Sequence, residues 1–286
     1  MIKKSRFFIS LAAILLGFFG WLLIDVYWQN WFYPHNFQLV GRLSLPLAKV
    51  NGQLISTTDY WKDLQASKSN QTLASLSMVE LNQAILTKLI RQQVVAELVK
   101  QQGLDLGQPD YRAILENLLG NQPAEVSLDQ QIEQSFGYSY DDFIKLVVEP
   151  FYWEEKLQLN FLATADSKEQ QQAQQIKAEA AGTNSLAALA KKYGLEQSLN
   201  DQFLSAEDLV GPLVNIKALK KDDISDIIID TDGYHLYQLL NHLTEAERDL
   251  WQVQQLDIQS ISWDSFLNQQ LQLAEVKYFI ELPGVN

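Results

Sequence analysis

The chain has 286 residues, 47% of them hydrophobic, a formal net charge of −13, no cysteine and three histidines. The apolar content suffices for a folded core, while the missing cysteines exclude disulfides, thiolate metal sites and a cysteine nucleophile. The acidic balance argues against a nucleic-acid partner, and His35, His235 and His242 are too few for a histidine-rich metal cluster, so neither metal nor cofactor is expected.

The first element in chain order reads as a membrane anchor. Phe7 to Ile24 is a run of 18 residues without a charge, about 27 Å long as a helix and close to the hydrocarbon thickness of a bilayer. Lys3, Lys4 and Arg6 precede it, and Tyr27, Trp28, Trp31, Phe32 and Tyr33 follow it. That is the pattern of a cytoplasmic cationic end and an aromatic exit at the interface. No small-residue cleavage site follows. Residues 1–34 are therefore expected to be an uncleaved, single-pass signal anchor in the cell membrane, N-terminus cytoplasmic and bulk extracytoplasmic. Without the three N-terminal cations, 19 basic residues face 35 acidic ones, so the exported body is strongly acidic.

Residues 35–46 form a linker. Ala48 to Ile55 predicts a hairpin turning at Asn51-Gly52. Ser56 with Asp59, and Ser77 with Glu80, read as capping boxes of two helices, the second carrying the stripe Leu81, Ile85, Leu89 and ending at Gly103. Further helices are expected from Pro109 to Gly120, from Ser127 to Gly137, and from Ser139 past a kink at Pro150 to Lys156. From Leu157 the pattern changes. LQLNFLAT alternates like a strand. Helices follow at Ser167–Ala181, Ser185–Tyr193 and Pro212–Leu219. Ile227–Ile229 and Tyr234–Leu240 read as a hairpin about an Asp-Gly turn. After Leu243, Thr244 and Glu247 read as the capping box of another helix. Ser262 opens a last helix and Val276–Leu282 a closing strand. The fold class is α+β.

Three segments carry a family resemblance: Val50-Asn51-Gly52 to Ile55 with the helix after it, LAALAKKYG at 186–194, and ALKKDDISDIIIDTDGYHLYQL at 218–239. Together they resemble the exported parvulin-containing foldases of the SurA, PrsA and PpiD type, with a layout nearest to the membrane-anchored PpiD. The resemblance implies a helical, SurA-like chaperone module built from residues 47–156 and 244–286, with a parvulin-like domain inserted at 157–243. It implies as partners unfolded or nascent exported polypeptides, and the translocon as a further candidate.

The resemblance also implies a peptidyl-prolyl isomerase site. Rotation about a peptide bond crosses a barrier of about 20 kcal/mol and needs no nucleophile. The catalyst must grip the prolyl ring and favour the twisted amide. Active members have a histidine in the first and last strands, an acid or cysteine in a loop, a Gly-Gly-Asp-Leu-Gly-like segment, and Phe and Met in the pocket. Here His235 matches the last-strand histidine, Asn160 falls where the first-strand histidine is lost, and Glu196 stands in for the loop acid. Leu204 with adjacent Phe203, Leu209 and Leu213 take the pocket positions, and the Gly-Asp-Leu-Gly segment is missing. The expectation is a membrane-anchored chaperone with a degenerate isomerase site, His235 serving as a hydrogen-bonded residue of the sheet. An active isomerase and a non-catalytic envelope scaffold are the alternatives.

Overall fold

The computed structural model describes residues 43–69, 75–107, 109–119, 126–183, 185–245, 248–280 and 282. The anchor expected at 7–24 lies outside them, as do Gly120 and Glu247. Among the described residues no helix is long and apolar enough to cross a membrane. The chain divides into two compact units: residues up to Glu154 together with those from Gln270 onward, and Glu155–Gln269.

The first unit opens with β1 (Pro46–Val50) and β2 (Gln53–Ser56), paired antiparallel. Asn51 and Gly52 both take positive φ, 46° and 93°, as a two-residue Asn-Gly loop requires. α1 (Thr57–Ser69) starts at Ser56, whose Oγ accepts from the Asp59 N–H at 3.0 Å. α2 (Met78–Gln101) carries the expected Ser77–Glu80 capping box and buries Leu81, Ile85 and Leu89. α3 (Tyr111–Leu119) begins two residues after Pro109, because Asp110 Oδ1 accepts from the Ala113 N–H. α4 (Leu128–Phe136) runs from the Ser127 cap to Gly137, as expected.

α5 (Tyr140–Phe143) is capped by Ser139 and passes through a single π turn, Ile144–Val148, into α6 (Glu149–Thr164). The expected kink at Pro150 takes the form of this wider turn. Pro150 has no N–H for the Leu146 carbonyl four residues back, and Gln92 Nε2 donates to that carbonyl at 2.9 Å instead. Gln92→Leu should therefore cost about 1–2 kcal/mol, the penalty of a half-buried carbonyl left unpaired. Urea unfolding reads this directly, and an unchanged midpoint would show that water serves the carbonyl equally well.

α6 corrects the strand expected at 157–164. Its buried residues are Leu157 and Leu162, an odd spacing that would put them on opposite faces of a strand and so cannot mark the buried side of a half-exposed one. The apparent alternation came from Leu159 and Phe161, which are only partly buried.

The second unit continues with α7 (Lys168–Ala180) and α8 (Leu186–Tyr193), capped by Ser167 and Ser185 as expected. Then come β3 (Leu199–Ser205), a 3₁₀ segment Gly211–Ala218 where an α-helix was expected, β4 (Ile228–Asp230), β5 (Gly233–Glu245) and β6 (Arg248–Gln259). β6 corrects the helix expected after Leu243. As an inner strand it is buried on both faces, Trp251 and Val253 on one and Leu256 and Ile258 on the other. Such strands lack the clean alternation that marks a half-buried one.

The sheet has order β3-β6-β5-β4, every pair antiparallel. Side chains alternate across it. One face, with Tyr234, Leu236, Leu256 and Ile258, packs against α7 and α8 through Ile176, Leu186 and Leu189. The other, with Leu204, Tyr237, Leu239, Trp251 and Val253, is covered by Leu209 and Ile216 from the segment after β3. A register shift in β5 between Leu239 and Asn241 brings His242 opposite Trp251, on which its ring stacks at 4.7 Å. Finally α9 (Ser262–Leu273) leads to β7 (Val276–Tyr278), shorter than the strand expected, which pairs with β1 and completes a three-stranded sheet of order β2-β1-β7 in the first unit. With nine α-helices and two sheets among the described residues, the class is α+β.

Candidate functional site

β5 places His235 opposite Asp257 of β6 and Ile228 of β4. The two-residue turn between β4 and β5 folds Asp230 back beside it. His235 is 5% exposed. Its Nδ1 lies 2.7 Å from Asp257 Oδ1 and its Nε2 2.7 Å from Asp230 Oδ1. A carboxylate oxygen at each nitrogen favours a proton on each, so the site stabilises the imidazolium form. Burial alone would lower its pKa, but the bonds to Asp230 and Asp257 outweigh burial and raise it above the ordinary value. Burial likewise pushes the Asp230 carboxyl up, and the bond to His235 holds it below the usual range.

The network extends along the same face. Gln255 Nε2 donates to Asp257 Oδ1 at 2.5 Å, Asn200 Nδ2 donates to Asp257 Oδ2 at 3.2 Å, and the amides of Gln202 and Gln255 bond to each other. Tyr237, next along β5, has its hydroxyl pushed up to about 12 by burial, with Asp257 and Asp230 adding to the effect. The face therefore grades from a charged end at Asp230–His235–Asp257 into the apolar cluster of Tyr237, Leu239, Val253 and Trp251.

Leu204 and Leu209 lie in that cluster, and Leu213 packs against it. Leu209 is 1% exposed, so these leucines fill one another's space. Phe203, the neighbour of Leu204 on β3, points to the opposite face and is 57% exposed. Asn160 sits on α6, outside the sheet, and the place opposite His235 belongs to Asp257. Glu196 is exposed in the short 3₁₀ turn Glu196–Ser198, and the carboxylates at His235 come from Asp230 and Asp257. Sequence reasoning missed Asp257 because β6 reads as a helix. The signal was the step of two in Trp251, Val253, Gln255 and Asp257, which mirrors that of His235, Tyr237 and Leu239. Among the described residues no three His, Cys, Asp or Glu side chains are grouped to hold a metal ion.

A Gly-Tyr-His strand within a small α+β unit is what the parvulin resemblance implied. Residues 140–255 match the family model of the PPIC-type PPIase domain, and the chain carries a domain of this kind. The match begins at Tyr140, ahead of the second compact unit, and ends within β6. No curated protein and no solved structure matches the chain.

Proposed function

We propose that this chain is a membrane-anchored, extracytoplasmic chaperone of the parvulin-foldase type, holding unfolded or nascent exported polypeptides, with its isomerase site reduced. The observation that carries the reading is the fate of the site residues within the PPIC-type domain. His235 has both nitrogens engaged by carboxylates and so keeps no free donor for a substrate carbonyl. The leucines at the pocket positions pack on one another, leaving no ready seat for a prolyl ring. The charge-free run at 7–24 supports the anchor. Exposed Phe151, Leu54 and Leu273 in the first unit offer apolar contacts of the adaptable kind that suits varied clients.

The full chain in a neutral detergent should suppress aggregation of several unrelated unfolded proteins while leaving tetrapeptide prolyl isomerisation close to its uncatalysed rate. Failure with every client overturns the chaperone reading. A catalysed rate that His235→Ala abolishes, with the variant still folded, would replace it with an active isomerase.

A further inference from the structure

A second surface of the 155–269 unit has the makings of a binding site. α6, α7 and α9 frame a groove of about 510 Å³, lined by Phe161, Ala165, Asp166, Glu169, Ile261 and Phe266 among others. The volume suits one or two apolar side chains with their backbone. The floor is aromatic: Phe161 and Phe266 stack at 4.7 Å, and Trp263 lies 5.7 Å from each. At the rim Ile261 is 74% exposed, a large aliphatic side chain left in water. The carboxylates of Asp166 and Glu169 stand at the same rim against the single cation of Lys168. Glu169 is fixed there by Ser262, whose Oγ donates to Oε2 at 2.8 Å. Burial pushes that carboxyl up, but hydrogen bonds led by the one from Ser262 hold it below the usual range, so it stays charged.

We propose that this groove binds an extended client segment in which an apolar side chain neighbours a lysine or arginine. The apolar group would cover Ile261 and the stacked rings, and the cation would meet Asp166 and Glu169. The proposal rests on the chaperone reading and adds to it the place and the chemistry of one client contact. None of the groove residues belongs to the His235 network.

The test uses the full chain in a neutral detergent and a fluorescein-labelled Gly-Ser decapeptide bearing one Leu-Lys-Leu block. Two controls carry Glu for the Lys, or Ser for both Leu. Fluorescence anisotropy should rank the Lys probe first. Ile261→Ser should weaken its binding about tenfold, as loss of a buried aliphatic contact does. Asp166→Lys should turn the preference toward the Glu probe. Both positions are exposed, so circular dichroism should stay unchanged. Wild-type affinity in both variants overturns the groove, and an equal response to the Lys and Glu probes overturns the cationic client. If either happens while the wild-type chain still suppresses aggregation, the chaperone reading stands without the groove. A wild-type chain that suppresses nothing removes both.

Discussion

Gly233→Ala should unfold the 155–269 unit or come close to it. Gly233 opens β5 with φ of +142°, and a Cβ there would stand 2.3 Å from the Ile258 carbonyl oxygen and 2.9 Å from the Ser260 nitrogen. Both are backbone atoms of the neighbouring chain segment, so no side-chain rotation relieves the clash. Either the β5–β6 pairing opens at its end or β5 shifts, and His235 lies only two residues along. Strain of this kind, with the lost pairing, amounts to about 3–5 kcal/mol, a large share of what holds a domain of this size together. Denaturant unfolding followed by tryptophan fluorescence checks it. A midpoint equal to wild type would mean that the backbone at Ile258–Ser260 gives way at little cost.

His235→Ala should cost about 2 kcal/mol near pH 6, since it leaves Asp230 and Asp257 facing each other without the cation between them. The cost stays below that of a fully buried pair because the Asp230 side chain is 53% exposed. The pH dependence follows from the direction of the shifts. The folded-state pKa of His235 is raised, so its contribution is complete below the ordinary value of 6.5 and fades as the pH climbs through the raised value. The folded-state pKa of Asp230 is lowered, so its contribution is complete above the ordinary value of 3.8 and fades as the pH falls through the lowered value. The ion cluster is therefore worth most between these two ordinary values. Urea midpoints of the wild type and the variant should converge from pH 6 to pH 9. A constant difference would show that the imidazolium is not what the carboxylates hold.

How far the sequence exposes this molecule depends on how local each signal is. The Asn51-Gly52 hairpin, the Ser77 and Ser127 capping boxes and the Asp230–Gly233 turn are legible because a few adjacent residues determine each geometry. β6 is not, because β3 and β5 flank it while α7, α8 and the segment after β3 bury its two faces, and that covering depends on elements distant in sequence. With β6 goes half of the site. His235 can be singled out from Gly-Tyr-His, but Asp257 becomes its partner only through a strand register. Asn160 shows the reverse error, since a segment that alternates on paper joins a long helix when Leu157 and Leu162 are the residues it must bury. The leucine positions were legible as a group, and what the sequence leaves open is whether they line a cavity or fill one.

The pairing of β7 with β1 bears on how the chain is born. Glu275 donates its N–H to Asn51 Oδ1 across a separation of 224 residues, and Asn51 returns the bond through its own N–H to the Glu275 carbonyl. The first sheet therefore lacks its third strand until the chain has been made past Tyr278. The 155–269 unit is continuous in sequence and is under no such constraint. Its presence as a folded body shortens the effective loop that β1 and β7 must close. On the reading proposed here, a chain made at a membrane keeps one edge of β1 unpaired while it emerges, so a holder of unfinished proteins begins as one.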